Sequence, residues 1–315
     1  MPKVSVIIPN YNHAGFLNQR IDSVLLQTYQ DFELIILDDC STDYSRQIIN
    51  AYTGHPKVSL ILFNDTNSGS TFKQWRKGIE NAKGELIWIA ESDDYADHTF
   101  LEKLLEKITL QPGVGVAYCQ SWRVDEHNKV LDSCKSWFPA RWQSDFVNDG
   151  KAEIRDHFLF HGILNASATL FKRDIAMSVS DRFTTFSYFG DQLFWIEMLL
   201  KTDIYYLADE LNFFRTHEKN VSGAAARRGV GIKEGLSMLY LLQHELENYP
   251  SYQQRIHKFV YDWVNILFSK DNALTFRMNR EILGYVIKLK SISQILGALL
   301  EIFKRKMNRI VGKMD

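Results

Sequence analysis

The first third of the chain alternates two hydrophobic periods. Val4 to Pro9 is a short β-branched run, and Phe16, Leu17, Ile21, Val24 and Leu25 follow it at helical spacing. Phe32 to Leu37 is again strand-like and gives way to a helical set, Ile48, Ile49 and Tyr52. Val58 to Phe63 predicts a third strand. Phe72, Trp75, Ile79 and Ala82 predict the next helix, with Gly84 placed to cap its end. Leu86 to Ala90 predicts a fourth strand. Strands that alternate with amphipathic helices need crossover connections, so these residues predict an α/β fold with a mainly parallel sheet covered on both faces.

Further on, Phe100 to Ile108 predicts a helix stopped by Pro112-Gly113, and Val114 to Cys119 resumes strand character. Trp122-Arg123-Val124 and Lys129-Val130-Leu131 flank a polar turn and read as a hairpin. Ala168 to Phe171, Ile204 to Leu207 and Leu211 to Phe214 predict further strands, with a helix from Asp191 to Lys201 between them. Beyond Gly223 the strands disappear and apolar residues recur at helical spacing. A boundary is therefore expected near residues 223–230, dividing residues 1–222 from a helical extension, 223–315.

At 315 residues the chain can bury a full core. A formal net charge of −1 argues against a dedicated nucleic-acid binder. Cys40, Cys119 and Cys134 are odd in number and lack metal-ligand spacing, which suits a reduced, cytoplasmic chain. The start lacks the layout of a signal peptide, and no apolar run approaches the roughly 18 residues of a membrane span. The expectation is a soluble or peripheral protein.

Candidate chemistry concentrates in acids. Glu91, Asp93 and Asp94 close the fourth strand, and Asp38-Asp39 closes the second. In a parallel sheet both pairs fall at the carboxyl edge, where ligands bind. Crowded carboxylates call for a compensating cation or proton, and a hard divalent ion suits them when substrate phosphates complete its shell. Strand-end aspartates also start turns and cap helices, so each pair alone has a structural use. A dinucleotide-binding oxidoreductase would share the alternation, but Pro9-Asn10-Tyr11-Asn12-His13-Ala14-Gly15 stands where Gly-X-Gly-X-X-Gly is required.

Ordered motifs over about residues 3–222 resemble the family-2 inverting glycosyltransferases of the GT-A fold. They are Val4 to Asn12, Ser23 to Thr28, Asp38-Asp39-Cys40-Ser41-Thr42-Asp43, Gly84-Glu85-Leu86-Ile87 and Glu91-Ser92-Asp93-Asp94. The resemblance implies a donor-binding part over about residues 1–120 and an acceptor-side part over 121–222. It places Pro9 and Tyr11 at the nucleotide, with Tyr11 against the base and Asp39 accepting the imide hydrogen of uracil or thymine. Glu91-Ser92-Asp93 takes the place of the Asp-X-Asp motif, with Asp93 on Mg2+ or Mn2+ and Glu91 toward the ribose or the ion's water shell. Asp191 resembles the catalytic base, Gly190 standing where the family more often has glutamate. Arg215-Thr216-His217 through Ser222 resembles the ending whose histidine lies near the diphosphate, with Arg215 and Lys219 as neutralising cations. Lys73, after the Asn67-Ser68-Gly69-Ser70 turn, is a further nucleotide candidate, and Asp94 a supporting acid.

The implied activity is metal-assisted transfer from a UDP- or dTDP-sugar to a hydroxyl of a surface glycan or lipid-linked oligosaccharide. The rival within the family is an idle nucleotide-sugar-binding subunit of a glycan assembly system. At the end of the chain, Ile292, Leu296, Leu299, Phe303, Met307 and Ile310 share one helical face. Residues 281–315 hold seven Lys/Arg against three Asp/Glu, a formal +4. Such a helix suits an anionic membrane at the inner face of the plasma membrane, packing on its own domain, or a second copy of the chain.

Overall fold

The computed structural model describes residues 2–217, 229–269 and 274–311, the last with side chains through Arg305. These residues form two compact units. One comprises residues 2–154 and 161–217, the other residues 155–160 and those from 229 onward. The boundary expected near 223–230 falls mostly outside the described residues.

The first unit is built on a ten-stranded sheet. Strand β1 (Val4–Asn10) lies between β2 (Phe32–Asp38) and β4 (Leu86–Ile89), parallel to both. β3 (Val58–Phe63) is parallel to β2. All residues of β1 and β2 are buried, which explains their mainly apolar runs; Ser5 and Glu33, which interrupt them, pair with each other at 2.6 Å. Their alternating side chains serve both faces. Val4, Val6 and Ile8 join a core with Leu17, Ile21 and Val24 of α1 (Ala14–Leu25) and Phe100, Leu101 and Leu104 of α4 (Phe100–Leu110). Each such buried side chain contributes on the order of 1.5–3 kcal/mol. Helix α2 (Ser45–Ala51) adds Ile49 to this core. On the other face Ile7 meets α3 (Thr71–Asn81) so closely that a Cβ at Gly78 would lie 2.4 Å from its Cγ2.

Beyond β4 the sheet changes character. β9 (Thr169–Lys172) is antiparallel and inserted between β4 and β6 (Val114–Val124), while β10 (Asp203–Arg215) runs parallel to β6. The predicted hairpin is present, with β7 (Val130–Ser133) against β6. The two segments read separately at 204–207 and 211–214 are one strand, β10, with register shifts between Leu207 and Asn212. Two short strands escaped the sequence pattern, β5 (Tyr95–Ala96) and β8 (Phe146–Asn148), both antiparallel to β10. Short helices α5 (Gly150–Glu153) and α6 (Arg173–Met177) precede α7 (Gly190–Leu199). Gly84 does not cap α3, which ends at Asn81; a Cβ there would lie 2.5 Å from the Ser5 nitrogen, so glycine lets the chain cross β1.

The second unit contains α8 (Val230–Leu241), α9 (Gln243–Leu246), α10 (Pro250–Leu267), α11 (Phe276–Lys288) and α12 (Ser293–Val311). Pro250 opens α10 where its missing N–H costs nothing, and the Thr275 hydroxyl accepts from the Met278 nitrogen to cap α11. Leu236, Leu239, Ile256, Val260, Ile282 and Val286 are buried here. By contrast Ile292, Leu296, Leu300 and Phe303 are 54–64% exposed, a continuous apolar face. Among the described residues no helix is long and apolar enough to cross a membrane.

Candidate active site

Parallel pairing brings the carboxyl ends of β2, β1 and β4 side by side, and with them three of the predicted groups. Asp39 follows β2 and is 4% exposed. Its Oδ1 accepts from Asn64 Nδ2 (2.6 Å), the Ser68 nitrogen (2.9 Å) and Gln74 Nε2 (3.0 Å), and its Oδ2 from the Ser68 hydroxyl (2.7 Å). The Asn67-to-Ser70 turn is thus wrapped around Asp39, with Gly69 at φ +74°. The adjoining backbone is unusual. Cys40 has φ 62° and Asn12 φ 58°, left-handed values uncommon for non-glycine residues. Asn12 uses its side chain there, accepting at Oδ1 from the Thr42 nitrogen (2.7 Å). Asp38 is taken up by Asn10 and Ser41 and serves the turn. Pro9 ends the buried run of β1, and Tyr11 stands 46% exposed just beyond it. Lys73 is exposed and donates to the Ser68 carbonyl at 2.9 Å.

The acidic cluster after β4 splits into three environments. Asp94 is 1% exposed and fully tied: Oδ2 accepts from Asn165 Nδ2 and the Ser167 hydroxyl, both at 2.7 Å, and Oδ1 from the Arg215 nitrogen at 2.9 Å. Burial and the Asp93 charge nevertheless raise it to about 6. Glu91 accepts from the indole N–H of Trp75 at 2.7 Å, and burial together with Asp93 pushes it up to about 8. Asp93 behaves oppositely. Burial opposes its charge, but the hydrogen bond with His217 and the imidazoles of His13 and His217 hold it below the usual carboxylate range. His217 Nε2 lies 3.1 Å from Asp93 Oδ2, and the side chains are 4% and 18% exposed. One ligand atom each from His13, Asp93 and His217 lie within 4.8 Å of one another.

Two arginines brace this cluster. Arg215 was expected to present charge to a diphosphate, and the structure places it otherwise. It is 1% exposed, and its guanidinium donates to the Asp93 carbonyl (2.7 Å), the Asp125 carbonyl (3.0 Å) and Gln19 Oε1 (2.8 Å). It fixes the backbone of the cluster. Arg20, on α1, is fully buried over the Trp88 ring at 4.9 Å, and its three guanidinium nitrogens have no hydrogen-bond partner among the described residues. Burial lowers it to about 10, and the charges of Asp94, Glu91 and Asp93 act against that shift. Lys219 and the rest of the predicted ending to Ser222 lie outside the described residues.

Asp191 opens α7, and its Oδ1 accepts from the Gln192 nitrogen at 2.7 Å. Burial raises it to about 6, against which only backbone N–H groups work. An aromatic wedge joins this helix to the acidic cluster: Phe72 packs on Trp75 at 5.3 Å, and Trp75 reaches Phe194 at 5.8 Å and donates to Glu91. The wedge also explains Gly190. A Cβ there would lie 2.4 Å from Phe72 Cδ2 and 2.6 Å from the Phe183 carbonyl oxygen, so no glutamate fits. His13, Arg20 and Trp75 were missed as site residues by sequence reasoning. His13 follows the same strand end as Tyr11, the one signal that pointed to it.

Comparison with known proteins bears on this arrangement. A family model described as Glycosyl transferase family 2 matches residues 5–171, just over half of the chain. An uncharacterized glycosyltransferase of Haemophilus influenzae is 43% identical over 105 residues, 33% of this chain and 42% of that protein. The poly(ribitol-phosphate) beta-N-acetylglucosaminyltransferase TarP of Staphylococcus aureus is 30% identical over 227 residues, 68% of this chain and 62% of the relative. The matched segments therefore span less than two thirds of these relatives. Among solved structures, S. aureus TarS 1–349 in complex with UDP-GlcNAc has a TM-score of 0.67 at 18% identity, covering 92% of this chain and 81% of that one. The mannosyltransferase PcManGT from Pyrobaculum calidifontis, in complex with GDP-Man and Mn2+, has a TM-score of 0.55 at 12% identity, covering 95% and 86%. These structures speak for the GT-A fold, and the family model speaks for descent: the chain belongs to glycosyl transferase family 2.

Proposed function

We propose that this chain transfers a sugar from a UDP- or dTDP-sugar to a hydroxyl of a surface glycan or lipid-linked oligosaccharide, with inversion at the anomeric carbon. The observation that carries the reading is one sheet edge that holds an exposed Tyr11, the wrapped Asp39 carboxylate and an Asp93 kept ionised between two imidazoles. Asp39 Oδ2 accepts only the Ser68 hydroxyl among the described residues, which suits the imide N–H of uracil or thymine as its second donor. Tyr11 offers a face for the base, and Pro9 borders it. S. aureus TarS, known in complex with UDP-GlcNAc and with UDP, favours a uridine donor.

Asp93 with His217 beside it fits a divalent ion such as Mg2+ or Mn2+, which when bound would neutralise charge on the departing diphosphate. Asp191 takes the proton from the acceptor hydroxyl as its oxygen bonds to the anomeric carbon and the bond to the diphosphate breaks. A carboxyl raised to about 6 is ionised at neutral pH and basic enough for that work. Trp75 holds Glu91 toward α3, and Lys73 supplies a cation near the donor-binding part. Residues 1–222 would form the catalytic domain. The exposed apolar face from Ile292 to Phe303, with Lys288, Lys290, Lys304 and Arg305 nearby in sequence, suits a cytoplasmic chain resting on an anionic membrane. A thermal-shift panel of uridine, thymidine and guanosine diphospho-sugars with Mn2+ tests the donor class. Stabilisation by uridine or thymidine donors is expected, and a response to guanosine donors alone would overturn it.

A further inference from the structure

The His13 imidazole does more than lend charge to Asp93: it is built into the acidic cluster. It stands one residue ahead of α1, and its Nδ1 lies 2.8 Å from the hydroxyl of Ser92, itself 1% exposed between Glu91 and Asp93. The His13 and His217 rings meet edge to face at 5.6 Å, and Phe16 packs against both, at 6.2 Å and 5.2 Å. Both imidazoles are thereby oriented before any ligand arrives. The Ser92 contact at Nδ1 orients the His13 ring, the arrangement in which a hydrogen bond at one ring nitrogen positions a ligating histidine.

We propose that His13 is a third protein ligand beside Asp93 and His217, and that this set makes the site a transition-metal site in preference to a magnesium site. The inference rests on the donor-site reading and deepens it. Adjacent ligand atoms on one ion with bonds of about 2.0–2.2 Å are about 3–3.6 Å apart. The three donors here lie within 4.8 Å of one another, so binding draws side chains that already face one point together by about 1–2 Å. Mg2+ prefers an all-oxygen shell and gives up water reluctantly, whereas two imidazoles and one carboxylate suit Mn2+ and Co2+.

Calorimetric titration of Mn2+ and Mg2+ into the full chain without nucleotide tests this, with electron spin-echo spectroscopy of the Mn2+-loaded protein reading coordinated imidazole nitrogen. Wild type should bind Mn2+ more tightly than Mg2+ and show two imidazole nitrogens. His13→Ala should weaken Mn2+ by about 10–100-fold, with a smaller effect on Mg2+, and should show one nitrogen. His13→Asn, which keeps a polar group near Ser92, should lose the same nitrogen and guards against a folding defect. Unchanged Mn2+ affinity and spectrum in both variants would overturn the assignment. Loss of Mn2+ in Asp93→Ala but in neither His13 variant would overturn His13 alone. UDP binding by wild type that ignores every metal would overturn the metal part of the donor-site reading with it.

Discussion

Replacing Asp191 by asparagine should make the protein more stable and far less active. The carboxyl is raised to about 6 from a usual 3.8, because burial penalises its charge and no ionic partner among the described residues offsets the penalty. A group raised in this way is held better protonated in the folded chain than in the unfolded one. Above pH about 6 the folded state therefore carries an ionised group at a cost of roughly 2–3 kcal/mol, taking about 1.4 kcal/mol per unit. As pH falls from about 6 toward 4 the folded chain binds the proton first and the cost disappears. Asparagine never carries it. Asp191→Asn should thus raise the thermal midpoint by roughly 4–10 °C near pH 7.5, with the gain shrinking to nothing near pH 4. In the same variant kcat for nucleoside diphosphate release should fall by about 10²–10⁴-fold. Melts at three pH values, paired with turnover on any donor found in the thermal-shift panel, decide both parts. A variant no more stable at pH 7.5, or a gain that persists in acid, would show that Asp191 is not a strained carboxylate. Near-normal turnover would assign the base elsewhere.

Other substitutions test other links. Gly190→Glu, which restores the family's commoner residue, should lower the urea midpoint by an equivalent of about 1–3 kcal/mol, because Phe72 and the Phe183 carbonyl occupy the space. An unchanged midpoint would refute the packing account. Cys40→Gly should stabilise by up to about 1 kcal/mol, since it relieves a left-handed residue at φ 62°; destabilisation in the same melt would show that the sulfur matters more than the backbone. Leu296→Glu with Phe303→Glu should abolish sedimentation with anionic vesicles at low salt and leave UDP binding intact. Wild type that ignores such vesicles sinks the membrane proposal.

The strands around the site were legible because β1 and β2 are buried along their whole length, so apolar residues dominate both, and the polar residues inside the runs, Ser5 and Glu33, hydrogen-bond to each other. β5 and β8, of two and three residues, are too short for any period to register, and they exist because β10 offers backbone groups to pair. The antiparallel β9 was legible as a strand, but its place between β4 and β6 depends on partners far away in sequence. Gly84 looked like a helix cap because local spacing cannot reveal a strand crossing beneath it. At the site, the carboxylates announced themselves by crowding. His13 and Arg20 are single residues whose meaning comes only from what the fold places beside them. Arg215 was noticed for its charge, yet three of its hydrogen bonds go to the Asp93 and Asp125 carbonyls and Gln19, a use that composition cannot distinguish from phosphate binding.

The central claim is a nucleotide-sugar site at the carboxyl edge of the sheet, organised by Asp93. The most direct measurement is calorimetric titration of UDP and dTDP into wild type and Asp93→Ala, each with Mn2+ and again with chelator. The account predicts that at least one nucleotide binds wild type with Mn2+, that chelator abolishes or greatly weakens this binding, and that Asp93→Ala loses it while unfolding at a similar temperature. Equal nucleotide affinity in all four arms, or no binding by the folded wild-type chain, would contradict it.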